Sequence, residues 1–363
     1  MDNMSFATEY VNEELEKCES VDELIEVIFP LIKSQKKTWK KAINQIIGDT
    51  KLSQGQFAEL CGVSRQSVNG WCQGKIPKSR EHFIRIGLAA HMNIDEINRL
   101  LTKHGRYTKL YDKDLNDCIC RFVLTHDLEG EPVHLYEEIK ERITSFEKRN
   151  GFNQGFANDT QYYSEKLGRV KTVDELESFV KEHSEAFSSS YRRFCTFIKM
   201  VLEDNEFLKD NVLMDMAISQ GWSPSLQKFT HAICDLNQRD NLIITRNKVI
   251  SLCIHIGFEL DTINEVLEMA HFAPLYAKNI FESIIIYVVS SRDINRDEND
   301  YVNPDELGEY TNYAIQELLK IKDRIKRIND DVDLSELEDF LSEVLAMELN
   351  DSEDVPTWLR ISQ

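Results

Sequence analysis

Proline and glycine are scarce in this chain, seven and fourteen among 363 residues. So few helix breakers leave helical periodicity free to run almost everywhere. No set of alternating apolar and polar residues marks a sheet, so the expected class is all-α. No apolar run reaches the roughly 18 residues of a membrane span. The start, MDNMSFATEYVNEELEK, has no apolar signal-peptide core, which points to the cytoplasm. No CxxC pair occurs among the eight cysteines, so neither a zinc knuckle nor a redox motif is signalled. The one close pair, Cys118 and Cys120, reads as core packing on a helix. His82, His91 and His104 are nine and thirteen residues apart, which does not gather them on one helix face. DINRDENDYVNP, from Asp293, begins like a calcium loop. It has Glu298 where that loop needs glycine and Pro304 where it needs the bidentate glutamate. No phosphate-binding loop, dinucleotide fingerprint, zinc-protease, serine-hydrolase or kinase motif is present. The expectation is a protein that is not an enzyme, with no cofactor and no metal.

What is present is uneven charge. The net charge is −20, which by itself argues against a nucleic-acid partner. From Lys33 to Lys113, however, there are sixteen Lys and Arg against six Asp and Glu, a local net of +10. The remainder is left at −30. A basic island in an acidic chain is the electrostatic footprint of a nucleic-acid-binding segment.

The chain also repeats itself. SVDELIEVI from Ser20 matches TVDELESFV from Thr172. NIDEINRLLTKHGRYTKLYDKDL from Asn93 matches ELDTINEVLEMAHFAPLYAKNI from Glu259 with one gap, pairing Ile97 with Ile263, Asn98 with Asn264 and Tyr111 with Tyr276. Two related helical domains follow, about 20–125 and 172–290. The expected layout is an N-terminal helix over 1–34 that is part of the first repeat, then a DNA-binding domain with a helical extension over 35–125. A linker over 126–171, containing RNGFNQGFANDT, leads to a second repeat over 172–290. An acidic helical hairpin and tail over 291–363 end the chain, with twenty acidic and seven basic residues from Asp293 onward. Asn303-Pro304 opens its first helix, Leu334, Leu337, Leu341, Val344 and Leu345 stripe its second, and Trp358 lies in the tail.

The stretch LSQGQFAELCGVSRQSVNGWCQGKIPKS, from Leu52, reads as two short helices meeting at a tight turn. Ser53 and Gln56 make a capping box. Phe57, Ala58 and Leu60 give the first helix an apolar face, Gly62 ends it where a left-handed backbone is needed, and Val63 plugs the core. Ser64 caps the second helix. Val68 and Trp71 point inward, leaving Arg65, Gln66, Ser67 and Asn69 outside. Such side chains suit base edges, where Gln pairs with adenine and Arg with guanine.

At this point the sequence resembles the Cro/CI-type helix-turn-helix family of phage repressors and bacterial regulators, often called the XRE family. The resemblance covers about residues 39–103. It rests on L-S-Q at Leu52, A-x-x-x-G-V-S at Ala58, V-x-x-W at Val68 and G-K-x-P at Gly74. It implies a five-helix bundle completed by helices over His82–His91 and Asp95–Lys103. By position it implies base contacts from Arg65, Gln66, Ser67, Asn69 and Gly70, and phosphate contacts from Gln54, Lys75, Lys78 and Arg80. Lys40 and Lys41 could add to these, although solvated surface suits them better. Gly70 and Cys72 depart from the family, which often has long polar or acidic residues there. The second repeat keeps Gly221-Trp222-Ser223, but Pro224 follows at once and the family pattern is lost. It reads as a degenerate copy.

The function expected is sequence-specific binding of double-stranded DNA through the major groove by a transcriptional regulator. A homodimer on a pseudo-palindrome would be the usual partner state, with the C-terminal helices as candidate contact. The alternative is a helical adaptor whose helix-turn-helix is only a packing unit, binding a protein partner through the second repeat or the acidic tail.

Overall fold

The computed structural model describes residues 3–32, 35–112, 114–147, 160–183, 194, 197–200, 212–219, 221–234, 244–291, 304–328 and 332–345. Among these there are helices and no β-strand. None of the helices is long and apolar enough to cross a membrane. The chain divides into a central unit, 35–193, and a composite unit made of 1–34 and 194–363.

The central unit starts with α3 (Gln35–Thr50), α4 (Gln54–Leu60), α5 (Arg65–Cys72) and α6 (Arg80–Ala89), the N-terminal helices α1 and α2 belonging to the composite unit. α7 (Ile94–Leu100) runs on as a π turn over Leu101–Gly105 and is stopped by Arg106 at φ 54°. α8 (Leu115–Thr125), α9 (Pro132–Glu147), α10 (Thr160–Leu167) and α11 (Val173–Glu182) complete it. Trp39, Ile43, Phe57, Phe83, Ile86 and Ile97 are fully buried in its core. Helix α7 opens with the Asn93–Glu96 capping box.

The sequence places a linker over 126–171, yet α9 lies within it. Its Val133, Tyr136, Ile139 and Ile143 recur at helical spacing and are buried. The Tyr136 hydroxyl donates to Glu81 at 3.1 Å, Lys140 reaches the same carboxylate at 2.9 Å, and Arg85 pairs with Glu137 at 2.7 Å. Its charged residues form the solvent face and ion pairs of a docked helix. RNGFNQGFANDT, apart from its last residue, lies outside the described residues.

The composite unit contains α1 (Asn3–Glu16) and α2 (Val21–Glu23), the latter extended by a π turn over Leu24–Ile28 and a 3-10 turn over Phe29–Leu31. Its second part has α12 (Val212–Ser219), α13 (Pro224–Cys234), α14 (Arg246–His255), α15 (Leu260–Met269) and α16 (Ile280–Ser290). α17 (Pro304–Ile328) packs on α14 and α16, and α18 (Ser335–Leu345) packs on α13 and α14. The two expected C-terminal helices are therefore present, but their stripes are spent on other helices of their own chain. Ala314, Ile315, Leu318, Ile321, Leu337 and Leu341 are all buried, so these stripes do not offer a dimer contact. The tail with Trp358 and most of the calcium-like segment lie outside the described residues.

The repeat is written in hydrogen bonds. Asn98 Oδ1 accepts from Leu110 N at 2.8 Å, and Asn264 Oδ1 accepts from Leu275 N at 2.8 Å. Tyr111 N donates to Asp117 at 2.9 Å, and Tyr276 N donates to Glu282 at 2.8 Å. Ser20 caps α2 and Thr172 caps α11, each accepting from the glutamate N–H three residues on. The two VDEL segments, however, are sorted differently from the sequence layout. The first, expected with the DNA-binding domain, packs in the composite unit, where Asp22 pairs with Arg324 of α17 at 3.0 Å. The second, expected to open the second repeat, packs in the central unit, where Asp174 pairs with Arg142 of α9.

Candidate nucleic-acid interface

The capping box at α4 forms as the residue types dictate. Ser53 N donates to Gln56 Oε1 at 3.0 Å and Gln56 N donates back to Ser53 Oγ at 3.3 Å. Gly62 then takes φ +64°, and Val63 N closes the turn on Ala58 O at 3.0 Å. A Cβ on Gly62 would lie 2.7 Å from Arg85 Nη1 as well as being strained. Ser64 caps α5 by accepting from Ser67 N at 3.1 Å.

Helix α5 divides cleanly. Val68, Trp71 and Cys72 are buried, while Arg65, Gln66 and Asn69 are exposed. Ser67 and Gly70 are half-buried beside them. The Ser67 hydroxyl shares a hydrogen bond with that of Ser64 at 2.9 Å, so part of its capacity serves the cap. Gln54 is half-buried at the first turn of α4. Burial pushes the Cys61 thiol up to about 12 and raises that of Cys72, so both behave as core groups rather than nucleophiles.

The loop after α5 carries Lys75 and Lys78, both exposed. Its backbone is held from several directions. Trp39 Nε1 donates to Lys75 O at 2.9 Å, Asn44 Nδ2 to Cys72 O at 2.9 Å, and the Tyr107 hydroxyl to Lys78 O at 3.1 Å. Lys75 N itself returns to Gly70 O at 2.9 Å. Sequence reasoning did not single out Trp39, Asn44 or Tyr107 for this role. A signal existed for the aromatics, because a buried indole N–H or phenol O–H has to find an acceptor. Lys40 and Lys41 are exposed on α3.

Arg80 corrects an expectation. Its guanidinium pairs with the fully buried Asp117 at 2.6 Å and donates to Thr108 O at 2.7 Å and Lys109 O at 3.1 Å. Its side chain is only 15 % exposed. Arg246 does the same in the other unit, pairing with buried Glu282 at 2.7 Å. An arginine shared by both repeats and committed to a buried carboxylate ties α6 to α8; it is not a phosphate contact. Burial is the largest effect on Asp117 and raises its pKa to about 6 despite Arg80. His82 packs its ring 5.7 Å from Trp71, and burial together with Arg85 lowers its pKa. The positive charge of this face therefore belongs to Arg65, Lys75 and Lys78.

The second repeat keeps the turn without the face. Gly221 takes φ +64°, Trp222 N donates to Ala217 O at 3.0 Å, and Ser223 caps α13 by accepting from Leu226 N at 3.1 Å. Pro224, Ser225, Leu226, Lys228 and Phe229 stand where Arg65, Gln66, Ser67, Asn69 and Gly70 stand in the first. Leu226 and Phe229 are buried. Among the described residues, no cluster of His, Cys, Asp and Glu is arranged to hold a metal ion. No family model matches the chain, and neither a curated protein nor a solved structure is detectably similar to it.

Proposed function

We propose that this chain is a cytoplasmic, sequence-specific DNA-binding regulator of transcription that reads the major groove with α5. One observation carries the reading: Arg65, Gln66 and Asn69 share the exposed face of a short capped helix, with the exposed Lys75 and Lys78 on the loop that follows. The first three match base edges. The lysines supply the phosphate neutralisation that a protein needs to grip a duplex, within a segment of net +10. Ser67 and Gly70 complete the base-facing set, and Gln54 adds a phosphate contact from α4. Selection of bound duplexes from a random pool by the full chain tests this. A recurring sequence is expected, with affinity falling steeply as salt rises; a pool that yields no recurring sequence counts against it.

A second reading has one observation in its favour. The second turn is preserved in backbone detail while its outward face has become partly apolar and buried, as in an adaptor that uses helix-turn-helix geometry only to pack. It predicts protein partners that persist when residues 35–110 are deleted.

A further inference from the structure

Helix-turn-helix proteins usually bring two heads to DNA by pairing two chains. This chain already holds two copies of the turn. On the DNA-binding reading above, we infer that the chain works as a one-headed reader: a single chain engages a single, asymmetric site through α5, and the second head is closed.

Three observations lead there. First, the counterpart of the reading helix offers little to read with. In α13, Leu226 and Phe229 occupy two of the five positions that α5 turns toward bases, and both are buried. Pro224, at the Arg65 position, has no donor to offer. Lys228 alone among the exposed residues at these positions is cationic.

Second, an added element with no counterpart in the central unit's described helices covers this region. Helix α18 packs on α13 and α14 and is also held at the start of α16, where Phe340 meets Phe281 with ring centroids 5.2 Å apart and Asn279 donates to Glu336 at 3.0 Å. It carries Glu336, Glu338, Asp339 and Glu343 in eleven residues. This region thus lacks the basic surplus that surrounds α5, and a phosphate backbone has less to draw it there.

Third, both arms are already used within the chain. The Ser20 arm completes the composite unit through Asp22 and Arg324. The Thr172 arm completes the central unit through Asp174, Glu177 and Arg142. Both VDEL segments are thus docked, and neither is left to complete a second copy.

The test uses the full chain and a duplex taken from the selected pool. Sedimentation with labelled duplex gives the stoichiometry, and hydroxyl-radical footprinting gives the symmetry of contact. One chain per duplex is expected, with a single protected patch lacking two-fold symmetry. Lys228→Ala should leave affinity within about twofold, while Arg65→Ala weakens it at least tenfold. Two chains on one duplex, with symmetric patches a helical turn apart, would overturn the one-headed reading while leaving DNA reading intact. So would a Lys228→Ala loss matching that of Arg65→Ala. A pool from which no sequence is enriched, or a selected duplex that Arg65→Ala binds as tightly as the unaltered chain does, overturns the DNA reading itself and the inference with it.

Discussion

The indole N–H of Trp39 donates to the carbonyl of Lys75 at 2.9 Å across 36 residues of sequence. It fixes the backbone from which the lysine reaches outward. Trp39→Phe keeps an aromatic ring in the core and removes the donor together with part of the buried indole. The bond is part-buried and a hydrogen bond of this kind contributes about 0.5–1.5 kcal/mol, so urea denaturation should show at least that loss. The effect on DNA should differ in kind from that of Lys75→Ala. Removing the lysine lowers the slope of log affinity against log salt by about 1. Trp39→Phe should weaken binding with the slope unchanged, because every phosphate-contacting cation remains.

Arg80 and Lys78 are two residues apart and should separate by the same measurement. Arg80→Ala leaves Asp117 buried without its partner, a change that costs about 3–5 kcal/mol. Its salt slope should match that of the unaltered protein under conditions where both are folded. Lys78→Ala should do the reverse, lowering the slope by about 1 with denaturation unchanged. Arg246→Ala is expected to destabilise like Arg80→Ala, since Glu282 is as buried as Asp117.

Much of this was legible beforehand, and the limits are specific. The capping box at Ser53, the left-handed Gly62 and the inward Val68 and Trp71 are local consequences of residue type, and they stand where the sequence puts them. The pairing of Asn98 with Asn264 and of Tyr111 with Tyr276, which make matching hydrogen bonds, was legible too. Which copy of an arm docks on which body was not, because similarity between two VDEL segments carries no information about their long-range partners. Arg80 was misread for a related reason. A basic residue beside Lys75 and Lys78 looks like part of a phosphate grip until Asp117, 37 residues on, is seen to claim it. Helix α9 was lost because RNGFNQGFANDT, just beyond it, drew all of 126–171 into one linker, although the spacing of Val133, Tyr136, Ile139 and Ile143 was there to be read.

Two glycines in the central unit should respond oppositely to alanine. A Cβ on Gly70 meets Lys75 Cδ at 3.6 Å, an ordinary contact. Gly70→Ala should stabilise by about 0.5–1 kcal/mol through helix propensity. A Cβ on Gly87 would lie 2.5 Å from Ile97 Cγ1, where α6 and α7 cross. Overpacking there should cost about 1–3 kcal/mol. Thermal melts of the two variants beside the unaltered chain decide the matter.

Each unit buries a histidine beside a tryptophan. His104 lies 5.5 Å from Trp39 and His255 lies 4.7 Å from Trp222, ring centre to ring centre. Burial, with Lys103 adding to it, lowers His104 to about 4; burial lowers His255 to about 4 although its Nδ1–H donates to Ser251 O at 2.7 Å. Above the unfolded value near 6.5 both are neutral in either state, and their contribution is complete. As pH falls below that value the unfolded chain takes up protons first, and stability declines until about 4. For His255 the full loss is roughly 3 kcal/mol. Denaturation at pH 7.5 and pH 5 should show a smaller pH difference in His255→Gln than in the unaltered protein; an equal difference would refute the assignment.

The central claim is that the exposed face of α5 reads bases, and one measurement meets it head on. Fluorescence anisotropy compares a pool-selected duplex with a scrambled one of the same length and composition, for the unaltered chain and for Arg65→Ala with Gln66→Ala. Each good base contact contributes about 1–3 kcal/mol of discrimination. The double variant should lose at least tenfold of the preference for the selected duplex, while weak salt-sensitive binding through Lys75 and Lys78 remains. A preference that survives both substitutions unchanged would contradict the account.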